Sequence, residues 1–116
     1  MTANALFIGW NRSIAGREQQ AMQLFKKVME YYGQLQTDGR IESFEPVVLA
    51  NHGGDLNGFV LLKGVPEKLD EIRREDTFLD YSIEASYCLE NFGIVPGYVG
   101  DSIMDVFSRW SKHFSS

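Results

Sequence analysis

The chain has 116 residues, of which 44% are hydrophobic and 23% charged, and its formal net charge is −5. This length and composition predict one globular domain, residues 1–116, that can build its own core. The acidic balance argues against a nucleic-acid partner. No apolar run approaches the roughly 20 residues of a membrane span, so no membrane association is expected. Because a single cysteine gives no internal disulfide, we expect a cytoplasmic protein.

The first half of the chain predicts a strand, a long helix and a second strand. Residues 5–10 form a continuous apolar run. The next segment is predicted to be an amphipathic helix, because its apolar residues recur at spacings of three and four: Ala21, Met22, Phe25, Val28, Met29, Tyr32 and Leu35. The turn Thr37-Asp38-Gly39 closes this helix, with Gly33 as an earlier possible end. Residues 41–50 are the predicted second strand.

The second half predicts two strands and three helices. Residues 58–63 form the third strand, after a glycine-rich loop at 51–57, and Pro66 opens a short helix. Asp76 or Thr77 is the expected N-cap of the next helix, which carries Phe78, Leu79, Ile83, Ala85 and Tyr87. Residues 92–99 are the fourth strand. Asp101 or Ser102 caps a last helix with an apolar stripe: Ile103, Val106, Phe107, Trp110 and Phe114.

The order of elements predicts an α+β fold in which two strand–helix–strand halves form a split βαβ sandwich. Right-handed crossovers then favour a four-stranded antiparallel sheet in the order 4-1-3-2. Proline cannot donate to a strand ladder, and Pro46 and Pro96 fall on the two edge strands of that order. The predicted core spans residues 5–99, with the extra C-terminal helix at about 101–114.

The predicted strands contain four apolar runs, at residues 5–10, 47–50, 58–62 and 92–99. Three of these runs are apolar on both alternating faces, so the sheet needs cover on both sides. Both helices of such a sandwich pack on one side. The other side is expected to expose a large apolar patch, which is unusual on a monomer, made of Phe7, Val48, Val60, Leu62 and Ile94 or their neighbours. The sequence therefore predicts a homodimer through the sheet face. The alternative cover is the last helix, folded back on its own subunit.

This pattern resembles the ferredoxin-like dimeric α/β barrel superfamily, which includes small antibiotic-biosynthesis-type monooxygenases and the YCII-like and EthD-like proteins. The resemblance covers roughly residues 5–99 and rests on residues 5–10 and on Gly58-Phe-Val-Leu-Leu-Lys-Gly-Val-Pro, Leu69-Asp-Glu-Ile-Arg, Asp76-Thr-Phe-Leu and Ile94-Val-Pro-Gly-Tyr98. It implies a dimeric α/β barrel with a pocket between sheet and helices. It also implies cofactor-independent oxygenase or isomerase chemistry on an aromatic or polyketide-like molecule. No set of family catalytic residues maps onto this chain position by position.

One histidine falls inside the predicted core. His52 could act as a base oriented by Asp55, or it could be an exposed turn residue. YCII-like proteins use a His–Asp pair, but that pair does not align with these two residues.

Six residues are candidates for a ligand pocket, although ordinary core, loop or rim packing is the alternative for each. They are Trp10, Asn11, His52, Tyr81, Tyr87 and Tyr98. Cys88 is read as a small buried hydrophobe rather than a nucleophile. The spacing of the histidines and the cysteine predicts no metal site, and no cofactor is expected.

Two classes of function remain open on the sequence alone. The first is a small cofactor-independent enzyme or a binder of a small apolar or aromatic ligand. The second is a non-catalytic dimeric sensor or scaffold whose C-terminal helix contacts a partner. An enclosed apolar pocket would favour the first class, and a solidly packed sheet–helix core the second.

Overall fold

The strands form an antiparallel sheet in the order β2–β3–β1–β4, with helices packed on one side. The computed structural model describes residues 2–114. Its elements are β1 (Ala5–Trp10), α1 (Glu18–Thr37), β2 (Ser43–Val48), β3 (Gly58–Lys63), α2 (Pro66–Arg73), α3 (Asp76–Cys88), β4 (Gly93–Gly97) and α4 (Ser102–Phe114). The predicted α+β class, element order and strand order are confirmed.

The prolines lie where the strand ladder tolerates them. Pro46 is in β2 and Pro96 is in β4, the two edge strands, and β1 and β3 in the centre contain none. Because an edge strand leaves every second N–H without a ladder partner, a residue that lacks this donor costs little there.

The core lies between the sheet and the three helices α1, α2 and α3. In the central strands, Leu6 is paired with Leu62 and Ile8 with Val60, and all four are at most 4% exposed. The helices cover them with Tyr32, Leu35, Leu69, Ile72 and Phe78. Full burial of a side chain of this size contributes about 1.5–3 kcal/mol, so this cluster is the main source of stability.

Most of the residues that the sequence predicts on the open face of the sheet lie on its other face, toward the helices. Val60, Leu62 and Ile94 pack against the helices, and Val48, which pairs with Gly58, lies on the same face. Of the expected residues Phe7 remains on the open side, where it stacks on Phe59 at a centroid distance of 5.1 Å. Strand alternation places Val47, Leu61 and Val95 beside them. A run that is apolar on both faces cannot by itself say which face meets the helices.

Helix α3 also turns a different face to the core than its spacing of four predicts. Phe78, Ala85 and Cys88 are buried, whereas Leu79, Ile83 and Tyr87 are 45%, 69% and 51% exposed. The apolar residues of α3 cover most of its circumference, so two stripes compete. The structure buries the stripe of Phe78, Ala85 and Cys88, and α3 packs with it against α1 and the sheet. The structure also starts α3 one residue earlier than expected, with Glu75 at the N-cap position.

Helix α1 differs from its predicted stripe at two positions. Leu24, which the stripe omits, is 4% exposed, and Met22, which it includes, is 63% exposed. The helix continues through Gly33 to Thr37, where the Thr37 hydroxyl donates to the Gly33 carbonyl at 3.0 Å. The turn at Asp38–Gly39, rather than Gly33, ends it.

Helix α4 projects from the sandwich. Within residues 2–114 it packs on no other helix or strand, and it has no buried residue. The radius of gyration is 15.8 Å, against about 13 Å for a compact chain of similar length. The alternative in which α4 covers its own sheet is therefore wrong for this arrangement, and the apolar stripe of α4 is left exposed.

The start of α4 is held by Asn4. Its side-chain amide donates to the Val99 carbonyl at 3.1 Å, and its Oδ1 accepts from the Val99 backbone N–H at 2.9 Å. Gly100, with φ of +60°, then turns the chain into the helix. No described helix has the length and apolar content needed to cross a membrane.

Candidate functional site

A cavity of about 410 Å³ lies between the helix face of the sheet and helices α1 and α3. Most of its lining is apolar and comes from β1, α1, α3 and β4. The polar members of the lining are Ser13, Glu18, Tyr32, Tyr81 and Ser82. This volume and this mixture of an apolar wall with few polar groups are typical of sites for small ligands.

Trp10, one of the predicted pocket residues, forms a wall of the cavity. It ends β1 and is paired with Gly58 of β3. A Cβ at Gly58 would lie 2.5 Å from the indole Cζ2 atom, so the indole rests directly on the backbone of β3. Phe25 of α1 meets the indole edge-on at 6.2 Å. Glycine at position 58 therefore provides the space in which the indole lies.

Tyr81, a second predicted pocket residue, belongs to a cluster of three tyrosines between α1 and α3. The ring of Tyr31 is 5.2 Å from that of Tyr81 and 5.6 Å from that of Tyr32. Burial raises the pKa of Tyr32 and of Tyr31 above the ordinary value of 10. Both hydroxyls therefore stay protonated at neutral pH and can donate hydrogen bonds. Tyr32 and Tyr81 line the cavity, and the buried hydroxyl of Tyr31 has no partner among the described residues.

An ion pair next to this cluster ties the turn after α1 to the junction of α2 and α3. The Arg40 guanidinium donates two hydrogen bonds to the Glu75 carboxylate, at 3.0 and 2.6 Å. The hydrogen bond from Arg40 holds the pKa of Glu75 below its ordinary value. A bidentate pair of this kind fixes direction as well as distance, so it fastens the turn after α1 to the start of α3.

The β1–α1 connection closes one end of the cavity by pairing with the end of α3. Asn11 N–H donates to the Glu90 carbonyl at 2.9 Å, Glu90 N–H to the Arg12 carbonyl at 2.7 Å, and Ile14 N–H to the Cys88 carbonyl at 2.8 Å. Three backbone bonds make this closure a stable part of the fold. Cys88 itself is buried, and burial raises the pKa of its thiol, so the thiol stays protonated.

Tyr87 lies on the outside of that closure rather than in the cavity lining. The Arg17 guanidinium stacks 3.8 Å from the centre of the Tyr87 ring and donates to the Tyr87 carbonyl at 2.9 Å. The pair is a surface clamp between the start of α1 and the end of α3.

His52 lies in the exposed loop before β3, with both ring nitrogens engaged inside that loop. Nδ1 accepts the Gly54 backbone N–H at 2.9 Å, and Nε2 is 2.8 Å from the Leu56 carbonyl. This pattern requires the tautomer that carries its proton on Nε2, which donates to the carbonyl. Asp55 makes no hydrogen bond to His52 among the described contacts. A catalytic role for this pair stays a prediction.

Asn11 and Tyr98 complete the list of predicted pocket residues. The Asn11 side chain accepts a hydrogen bond from the Asn57 side chain and so joins two loops. Tyr98 follows the end of β4. The cavity thus brings together Trp10 and Tyr81, and the remaining four candidates lie outside its lining. Their roles stay predictions.

Sequence reasoning did not single out several lining residues of the cavity. Phe25, Val28, Phe78 and Phe92 belong to apolar stripes that read as core, and Glu18 reads as a solvated helix start. A stripe that lines a cavity has the same spacing as one that fills a core, so periodicity cannot separate the two. Within the described part of the chain, no group of three or more metal-ligating side chains is gathered.

Comparison with solved structures assigns the fold of this protein to a known class. One solved structure with the same architecture is that of a dimeric protein of unknown function and ferredoxin-like fold from Bacteroides fragilis. It is 13% identical, with a TM-score of 0.57, over 82% of this chain and 95% of that chain. The present chain therefore has a ferredoxin-like fold. No family model matches the sequence, and no curated protein matches it either.

Proposed function

We propose that this ferredoxin-like protein binds a small apolar or aromatic molecule in the cavity between its sheet and α1 and α3. The main support for this proposal is the cavity itself, which has a volume of about 410 Å³ and a mostly apolar lining. A cavity of roughly 150 Å³ accepts benzene, so this one has room for two to three rings. Apolar area that the ligand removes from water would contribute about 25 cal/mol per Å².

The polar groups of the cavity favour a ligand with at least one hydrogen-bonding atom. The hydroxyls of Tyr32 and Tyr81 can donate hydrogen bonds. The Ser82 hydroxyl, which donates to the Phe78 carbonyl at 2.9 Å, keeps its lone pairs available as acceptors. These groups would orient the ligand, while Trp10 and Phe25 provide aromatic contact. A cofactor-independent oxygenase or isomerase could use the same donors to polarise a carbonyl or phenolic oxygen. Binding is the part that the geometry supports directly.

The test is ligand binding with a cavity-filling variant and a matched control on the same helix. Calorimetry would measure binding of naphthalene, indole and hydroxynaphthalene. Ala85→Leu places three extra carbons against the cavity lining, whereas Ser86→Leu makes a similar change at an exposed position of α3. We expect binding by the parent and by S86L, and a loss of at least tenfold in A85L. Absence of binding of all three compounds to the parent, or equal binding by both variants, would refute the proposal.

We also infer that the protein forms a homodimer through the open face of its sheet. On that face Phe7 stacks on Phe59, and Val95 is 55% exposed. Phe107, Trp110 and Phe114 of α4, 48%, 55% and 83% exposed, add roughly 280–465 Å² of apolar surface, given about 150–250 Å² for each aromatic side chain. A standard interface buries roughly 800 Å² per partner, so the surface of α4 would supply part of it and the open face of the sheet the rest.

Two further points support a second copy as the occupant. The Bacteroides fragilis protein of the same fold is described as dimeric. Helix α4 projects away from its own subunit, so another molecule can reach its apolar stripe. The alternative is that α4 contacts a partner other than a second copy, as in a sensor or scaffold module.

We also propose a cytoplasmic location, because the chain has a single cysteine and so forms no internal disulfide.

Light scattering or sedimentation at micromolar concentration tests the dimer. Val95→Lys puts a charge on the open face, and Val48→Lys puts one on an exposed valine of the helix face, 73% exposed. We expect the parent and V48K to be dimers and V95K to be monomeric. A monomeric parent, or a V95K variant that stays dimeric, would contradict the sheet-face interface.

A further inference from the structure

The cavity carries one formal charge at neutral pH among its described lining residues, the carboxylate of Glu18. Glu18 lies in the first turn of α1, where its Oε2 accepts the Gly16 backbone N–H at 3.2 Å. The first turn of a helix is a favourable position for an acidic side chain. Glu18 is exposed, as are two other lining residues, Met22 and Val48. These three residues therefore mark the mouth of the cavity.

The cations nearest to Glu18 in sequence do not belong to the lining: Arg12, Arg17, Lys26 and Lys27. Arg17 is directed to the end of α3, where it stacks on the Tyr87 ring and donates to the Tyr87 carbonyl. Lys27, which lies more than two helical turns after Glu18 in α1, forms an ion pair with Glu84 at 3.7 Å. The chain as a whole has a net charge of −5. Among the described lining residues, the formal charge at the mouth is therefore negative.

We propose that the cavity selects aromatic amines over aromatic carboxylates, with the ring in the apolar interior and the ammonium group at Glu18. This selectivity rests on the proposed ligand site and adds the charge class of its ligand. A two-ring amine with one methylene between the ring and the nitrogen matches the volume and allows the ammonium group to stay near water at the mouth. Because the carboxylate is solvent-exposed, the attraction is modest and sensitive to salt.

The test uses three probes with the same ring system: naphthalene, 1-naphthylmethylamine and 1-naphthoate. At low salt we expect the amine to bind roughly tenfold more tightly than the carboxylate, which corresponds to the combined attraction and repulsion at an exposed charge. Glu18→Gln should reduce this ratio to about twofold or less. Glu30→Gln makes the same change of charge on the exposed side of α1, outside the lining, and should leave the ratio near that of the parent.

The outcomes separate this selectivity from the ligand site itself. If naphthalene binds but the amine-to-carboxylate ratio is below twofold, or is the same in E18Q and the parent, the selectivity is refuted and the ligand site stands. If E30Q lowers the ratio as much as E18Q, the effect comes from net charge, and the role of Glu18 is refuted. If none of the probes binds the parent, the proposed ligand site fails as well. Equal melting temperatures would show that both variants fold as the parent does.

Discussion

Adding one methyl group at Gly58 tests how Trp10 is held against the cavity. In Gly58→Ala the new Cβ would lie 2.5 Å from indole Cζ2, 2.7 Å from Cε2 and 3.0 Å from Nε1. Ordinary carbon contacts are about 3.5–4.0 Å, so the indole must move by about 1 Å. The strands β1 and β3 are central and paired on both sides, which leaves the ring, rather than the backbone, to move toward the cavity.

The cost of this change follows from two opposing effects. Overpacking of a well-packed site costs about 1–3 kcal/mol. The loss of glycine freedom in the unfolded chain returns about 0.4–1 kcal/mol, since Gly58 has no positive φ. We expect G58A to lower the free energy of unfolding by about 1–2 kcal/mol, with a change in tryptophan emission and weaker ligand binding.

Urea denaturation in a double-mutant cycle isolates the contact. In a Trp10→Ala background the clash is absent, so G58A should then be neutral or slightly stabilising, with a coupling energy of about 1–2 kcal/mol. Gly93→Ala is the control, because a Cβ at this strand glycine meets nothing within 4 Å, and it should be neutral or stabilising. An equal cost of G58A in both backgrounds would refute the reasoning.

Two further predictions concern the surroundings of the site. Glu75→Gln should lower the free energy of unfolding by about 1 kcal/mol at neutral pH, as removal of a half-exposed ion pair does. Because Arg40 holds the folded-state pKa of Glu75 below its ordinary 4.5, this contribution is present above that value and disappears as the pH falls through the lower, folded-state pKa. Thermal melts of parent and variant should therefore converge as the pH falls below the folded-state pKa of Glu75, and a constant difference would contradict the assignment. Cys88 should be unreactive toward a thiol reagent in the native protein and react fully in urea, because the thiol is buried and its pKa is raised. Rapid labelling of the native protein would contradict this prediction and show that the closure at the end of α3 opens readily.

Much of the architecture follows from short-range patterns in the chain. The runs at β1 and β3 predict their strands to the residue, since both are bounded by polar or turn residues. The strand order follows from right-handed crossovers and from the edge positions of Pro46 and Pro96. These features depend on backbone geometry and hydrogen bonding, which a local sequence expresses directly.

The candidate site was less predictable. Trp10 and Tyr81 were expected near a pocket and line one, but the pocket also depends on Gly58, whose role is to leave room for the indole. Glu18 gave no signal that would distinguish it from any charged residue at a helix start. A cavity is defined by what neighbouring side chains fail to fill, and no single segment encodes that.

The sequence by itself determined the strands, the helices and their order, because periodicity and turn residues act within a few positions of the chain. Only the tertiary structure decided which face of each element is buried. Leu62 and Val60 meet the helices while Phe7 and Val95 do not, and α3 exposes Ile83 although its spacing predicts burial. Helix α4 is the clearest case, since its stripe is plain in the sequence yet its own subunit does not cover it. The physical reason is that an apolar surface requires cover without specifying the cover, and the packing of all elements together makes that choice.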